Sequence, residues 1–105
     1  MKARVRMKGR VAGILELQGT TVRFQYDKAY LQMRMPPLSL SLPLREEPYE
    51  YEGLLPYFSG LVSEGWLKRI QAKEQRIDPN DEFSLLVHNG EDLPGAVTLE
   101  LFDMS

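Results

Sequence analysis

His88 stands four residues after Ser84 in DEFSLLVHNG, and this is the chain's nearest approach to a base beside a nucleophile. On a helix that spacing makes the two side chains neighbours. Covalent catalysis also needs a third group to orient the imidazole, and donors where the oxyanion develops. The sequence marks neither, and a cation near a helix C-terminus is favourable in its own right. His88 and Ser84 are therefore read as structural. Adjacent carboxylates occur at Glu46-Glu47 and Glu91-Asp92, in stretches that read as loops. Glu46, Glu47, Glu50 and Glu52 lack the spacing of a calcium loop and read as a solvated acidic segment. The chain holds no cysteine, so no disulfide framework and no thiolate metal site are expected. It also lacks a glycine-rich phosphate loop and the lysine, aspartate and magnesium-binding signatures of a kinase. The residues predict no catalytic site, no cofactor and no metal: a non-enzymatic domain whose work is binding.

The residue that this bland reading explains least is Trp66, the sole tryptophan. It lies in Leu54–Arg69, LLPYFSGLVSEGWLKR, the stretch around which the chain is organised. Pro56 can start a helix, because its missing N–H costs nothing in the first turn. Tyr57, Phe58, Leu61 and Val62 follow at helical spacing as its buried stripe. Gly65 sits where a helix must stop or turn. Trp66, Leu67, Ile70 and Ile77 then restart an apolar face, with Lys68, Arg69, Gln71, Lys73 and Gln75 on the outer side of a helix over Trp66–Ile77. The pattern predicts helix–corner–helix, with Glu64-Gly65-Trp66 at the corner. Trp66 is then either a core residue under the sheet or an interface anchor, the role in which tryptophan is most enriched.

The elements around this corner read as a small sheet. Lys2, Arg4, Arg6, Lys8 and Arg10 alternate with Ala3, Val5 and Met7, a half-buried strand with a basic outer face. Lys8-Gly9 is a tight hairpin turn. Val11–Leu17 follows, with Val11, Leu15 and Leu17 on one face and Gly13 marking a bulge or close backbone approach. After Gln18-Gly19-Thr20, Thr21–Tyr26 alternates with Val22, Phe24 and Tyr26 inward. Asp27 caps a helical turn through Tyr30 and Leu31. Leu38, Leu40 and Leu42 alternate with serines as a brief strand ending at Pro43, and Arg45–Glu52 reads as a surface loop. Asp78 or Asn80 caps a helix carrying Phe83, Leu86 and Val87, which Asn89-Gly90 ends. Ala96–Phe102 is the last strand. The predicted core is Val5, Leu15, Val22, Phe24, Leu40, Phe58, Leu61, Ile70, Phe83, Leu86, Val97 and Leu99.

This is an α+β fold: a small antiparallel meander packed with a helix–corner–helix segment, in a single domain over 1–105. At 105 residues, 43% hydrophobic and 27% charged, one core is feasible. The net charge of −2 gives no drive toward nucleic acid or an anionic membrane. The basic strand face could contact phosphate, but no aromatic residues interleave with its charges as a stacking platform needs. The N-terminus lacks the apolar stretch of a signal peptide, and no run reaches the roughly 20 residues of a membrane span. A cytoplasmic location, without direct nucleic-acid or membrane partners, is expected.

Taken in order, the motifs resemble the N-terminal subdomain of HipA-type serine/threonine kinase toxins. Ser39-Leu40-Ser41-Leu42-Pro43-Leu44, then Phe58-Ser59-Gly60-Leu61-Val62-Ser63-Glu64-Gly65, stand where that family has its leucine–proline strand and its helix and corner. Asp81-Glu82-Phe83-Ser84-Leu85-Leu86 and Gly90-Glu91-Asp92-Leu93-Pro94-Gly95-Ala96-Val97 complete the series. Val11-Ala12-Gly13-Ile14-Leu15 and Phe24-Gln25-Tyr26-Asp27 fit the first half. Ser63 replaces the family's corner proline. The sequence stops at Ser105, short of any kinase part, so no catalytic or ATP-binding residue is carried over. A free-standing version resembles HipS, the small component of tripartite HipBST toxin–antitoxin systems. That resemblance implies an antitoxin that binds and neutralises a HipT-like kinase, in a complex with a HipB-like DNA-binding protein. The alternative is a non-inhibitory structural subdomain of a HipA-type kinase. The expected contact residues are Trp66, Glu64, Leu61 and Ser63.

Overall fold

Alternation governs the first half of the chain. In β1 (Lys2–Met7) Ala3 and Val5 are fully buried, while Arg4 and Arg6 face the other way. Lys8 and Gly9 take φ of 52° and 82°, the two-residue turn whose twist matches the flanking strands. β2 (Arg10–Gln18) returns, Gly19 at φ 61° turns the chain again, and β3 (Thr21–Tyr26) completes the meander. Val22, Phe24 and Tyr26 point inward, as their spacing predicts. The computed structural model describes residues 1–62, 65–93 and 95–103.

The β1–β2 register holds a phase change. Val5 opposes Gly13, but Arg6 opposes Val11, so Ala12 is the extra residue of a bulge. Leu15 therefore lies inside with Ala12, while Val11 shares the outer face with Arg6. This corrects the expected grouping of Val11 with Leu15. Gly13 is also a close approach: a Cβ there would stand 2.3 Å from the Gln25 carbonyl oxygen and 2.8 Å from the Phe24 ring.

Two further strands extend the meander into a sheet. Tyr49–Glu52 is β4, paired antiparallel with β3, and Val97–Asp103 is β5, paired antiparallel with β1. The order is β4-β3-β2-β1-β5. Two expectations fail here. The acidic YEYE stretch is a strand, because an edge position leaves its glutamates in water while Tyr49 and Tyr51 supply β-favouring side chains. Leu38–Leu42 is not a strand but part of a long connection, with Leu40 96% exposed and so outside the core. Pro36 and Pro37 before it and Pro43 after it leave no room to extend a ladder, and the Leu38 and Leu42 N–H groups are taken by Tyr26 Oη and the Ser39 carbonyl.

The connection from Met33 to Pro48 is held by tyrosine hydroxyls. Tyr26 Oη accepts from the Leu38 N–H at 3.1 Å and donates to the Leu42 carbonyl. Tyr30 Oη donates to the Pro36 carbonyl and Tyr49 Oη to the Pro43 carbonyl, each at 2.5 Å. Burial pushes the Tyr26 phenol up to about 12, so its proton stays on and its donor role is secure. The Tyr26 ring stacks on Tyr30 at 6.0 Å and meets Phe24 edge-on at 4.9 Å. Tyr30, absent from the expected core, is among its largest fully buried side chains.

The helices are short. α1 (Lys28–Gln32) is capped by Asp27, whose carboxylate accepts from the Ala29 N–H. α2 (Pro56–Ser59) starts at Pro56 and drops Phe58 onto Phe24, ring centres 5.5 Å apart. α3 runs Gly65–Gln75 and ends on Arg76 in the left-handed region, with the Ile77 N–H closing back on the Ala72 carbonyl. α4 (Glu82–His88) buries Phe83, Leu85 and Leu86. Its cap is Asp81, one residue beyond Asn80 and three beyond Asp78, the expected caps. Gly90 follows, where a Cβ would collide with the Leu99 carbonyl oxygen at 2.1 Å, so α4 can close onto β5.

Candidate functional site

α3 is turned opposite to its expected orientation. Its one buried residue is Ala72, and the half-buried positions beside it are Lys68, Gln71 and Gln75. The apolar residues point to solvent: Trp66 is 67% exposed, Leu67 44% and Ile70 40%. Ile70 is therefore removed from the core. Ile70 lies four residues after Trp66 and three after Leu67, which puts the three side chains on one side of the helix.

Polar contacts hold α3 in this attitude. The Glu82 carboxylate accepts from the Ser59 hydroxyl at 3.0 Å and lies 3.7 Å from Lys68 Nζ, tying α2, α3 and α4 together. At the other end, Gln75 and Asn89 exchange side-chain hydrogen bonds of 2.8 and 3.1 Å. Asn89 Nδ2 also donates to the Leu85 carbonyl at 2.8 Å. These bonds satisfy the half-buried polar groups, so turning Lys68 and Gln75 inward costs little.

Gly65 opens α3 at φ 61°, a conformation that disfavours a side chain. Its left-handed backbone was expected, but as the end of the preceding helix, which stops at Ser59. Leu61 is half-buried and packs against the core, so its side chain serves both the fold and the surface. Ser63 and Glu64, the other expected contact residues, lie outside the described residues. The structure thus joins Trp66 to Leu67 and Ile70, two residues that sequence periodicity assigned to a buried face. Their helical spacing from Trp66 was the signal available.

The remaining candidates are engaged elsewhere or stand apart. The Ser84 hydroxyl donates to Asp81 Oδ2 at 2.7 Å within the helix cap, and His88 is exposed at the far end of α4. Among the described residues no three His, Cys, Asp or Glu side chains gather as a metal site, and no helix is long and apolar enough to cross a membrane. The basic face of β1 is matched by neighbouring strands. Glu100 on β5 takes Arg4 at 2.8 Å and Arg6 at 3.2 Å, and Lys2 lies 3.8 Å from Glu16 on β2. Hydrogen bonds from Arg6 and Arg4 hold the Glu100 carboxyl below its ordinary range.

Known proteins resemble this chain over most of its length. A family model described as the HipA N-terminal domain matches residues 3–100. An uncharacterized protein of Haemophilus influenzae is 40% identical over 97 residues, covering 92% of this chain and 89% of that protein. The putative kinase Y4dM of Sinorhizobium fredii is 36% identical over 104 residues, covering 90% of this chain and 25% of the kinase. A solved N-terminal domain of HipA toxin superposes with a TM-score of 0.77 at 35% identity, over 99% of this chain and 94% of that one.

Proposed function

The chain belongs to the HipA N-terminal domain family, and on that premise we propose that it binds and neutralises a HipA-like serine/threonine kinase. The observation that carries this reading is the outward apolar side of α3. An indole buries on the order of 200 Å² when it enters a partner's pocket and commonly dominates an interface. Here Trp66 is presented on a helix whose inner side is fixed by Lys68–Glu82 and Gln75–Asn89, so little ordering is needed at binding. Leu67 and Ile70 extend the contact, and Leu61, Ser63 and Glu64 form its other part. The domain, residues 1–105, acts as one unit with no chemistry or cofactor of its own. Its partner is a HipT-like kinase lacking this domain, with a HipB-like DNA-binding protein in the same complex. It works in the cytoplasm, within a tripartite toxin–antitoxin system.

A second reading has a specific observation behind it. The chain spans a quarter of the putative kinase Y4dM, so the same domain can serve as a structural, non-inhibitory part of a longer kinase. Against this stands the Haemophilus relative, which the chain covers over 89% of its length. The decisive experiment is co-purification with the kinase, followed by a phosphorylation assay at saturating complex. Neutralisation predicts that activity is lost in the complex and returns with Trp66→Ala, which should weaken binding by about 2 kcal/mol or more. Full activity in a demonstrated complex would leave only the structural reading.

A further inference from the structure

β4 is the outermost strand on its side of the sheet, pairing with β3 and with no other named strand. A groove of about 220 Å³ runs beside it, between the strand, the start of α2 and the long connection. Its lining is mainly apolar: Leu42, Tyr49, Tyr51, Leu55, Pro56 and Tyr57. The Tyr49 ring is fixed, by its hydroxyl on the Pro43 carbonyl and by the Arg45 guanidinium 3.6 Å over its face. Tyr51 stands half in solvent at the strand's surface.

The charge around this edge is net negative. Glu50 and Glu52 lie on the strand and Glu46 and Glu47 shortly before it in sequence, all exposed, against two cations, Arg45 and Arg23. Arg45 is engaged with the Glu47 and Pro48 carbonyls. Arg23 reaches Glu50 only at 3.9 Å, and Glu52 accepts from the Thr20 and Thr21 hydroxyls.

We infer that the β4 edge and its tyrosine-lined groove receive an extended, basic segment of a partner protein, added as a sixth strand. An unpaired edge offers main-chain donors and acceptors to such a strand. Alternate side chains of the segment would divide between the groove and solvent, so an apolar residue enters among the tyrosines while lysine or arginine meets the glutamates. The same charge disfavours a second copy of this chain, since pairing two such edges would set carboxylates against carboxylates. The strand is about 13 Å long, so four to six residues of partner suffice. This surface uses none of the residues of the α3 contact, and the inference does not rest on that reading.

The test uses a synthetic eight-residue peptide of alternating lysine and valine, titrated into the isotope-labelled protein at low salt and followed by amide NMR shifts. The shifts should concentrate at residues 49–52 and around Leu42 and Tyr57. A glutamate–valine peptide and a lysine–glycine peptide should each bind at least about tenfold more weakly, the first for charge and the second for want of apolar contact. E46K/E47K/E50K should weaken the lysine–valine peptide about tenfold with an unchanged melt, and Tyr51→Ala gives a second readout if that triple variant folds poorly. Trp66→Ala should leave peptide binding unchanged, which separates this surface from the kinase contact. Shifts centred on another surface, equal binding of the glutamate peptide, or undiminished binding by both variants would overturn the inference.

Discussion

α3 and α4, linked through Lys68–Glu82 and Gln75–Asn89, use their apolar residues in opposite ways. α4 puts Phe83, Leu85 and Leu86 into the core, and its exposed positions are polar. α3 buries only Ala72 and shows Trp66, Leu67 and Ile70 to water, while Lys68, Gln71 and Gln75 face its neighbours. In α4 hydrophobicity reports burial within the domain. In α3 the same kind of residue stays in water, where a cluster of large apolar side chains gains nothing for the isolated fold, and this is the surface on which the proposed kinase contact rests.

That contrast can be broken first at its strong end. Phe83→Ala should cost about 3–5 kcal/mol in chemical denaturation, and a loss below about 1 kcal/mol would mean that α4 is not the core helix. Tyr26→Phe should cost roughly 2–3 kcal/mol, through the loss of bonds to the Leu38 and Leu42 main chain. It should also change the pH profile. The Tyr26 pKa is raised on folding from 10.0 to about 12, so the folded state holds the proton more tightly. That contribution is complete below pH 10.0 and is lost as pH rises toward 12, so the alkaline fall in stability should be shallower in the variant. A profile identical to that of the parent would refute the buried phenol. Asn89→Ala comes next, at about 1–2 kcal/mol, with faster hydrogen exchange in α3 than in α4. Equal acceleration in both helices would show that the Gln75–Asn89 pair is not what fixes α3. The smallest effect belongs to Leu67→Ala and Ile70→Ala. Each should move stability by less than about 0.5 kcal/mol, yet both should weaken kinase binding. A loss of 2 kcal/mol in the melt of the free domain would place them in the core after all.

Where local rules act, the sequence is a sufficient guide. Period-two alternation marks β1 and β3, Lys8-Gly9 and Gly19 mark the turns, and Pro56 marks the start of α2. The long connection is different. Leu38-Ser39-Leu40-Ser41-Leu42 reads as a strand, and what overrides it is a set of hydroxyls on Tyr26, Tyr30 and Tyr49, each bonded to backbone at least six residues away. Such bonds leave no periodic trace. The direction in which α3 faces was illegible for a related reason. Hydropathy predicts which residues favour leaving water, but not which side of a helix the fold buries, and the polar clamp through Glu82 and Asn89 decides that here. Trp66 was legible as an anchor candidate because of its type and its place after Gly65, whereas Leu67 and Ile70 could be assigned only once the helix was seen.

The bulge at Ala12 has a consequence for how this domain can change over time. Because Ala12 is the one residue that β1 does not count, it acts like an inserted letter that the rest of the line reads around. Removing it would leave Gly13 opposite Val5 and Val11 opposite Arg6, so the hairpin would keep its register and lose only the bulge and one buried methyl group. Removing Leu15 instead would slip every position on one side of it to the other face of the sheet. The N-terminal hairpin should therefore tolerate the loss of Ala12 far better than the loss of Leu15.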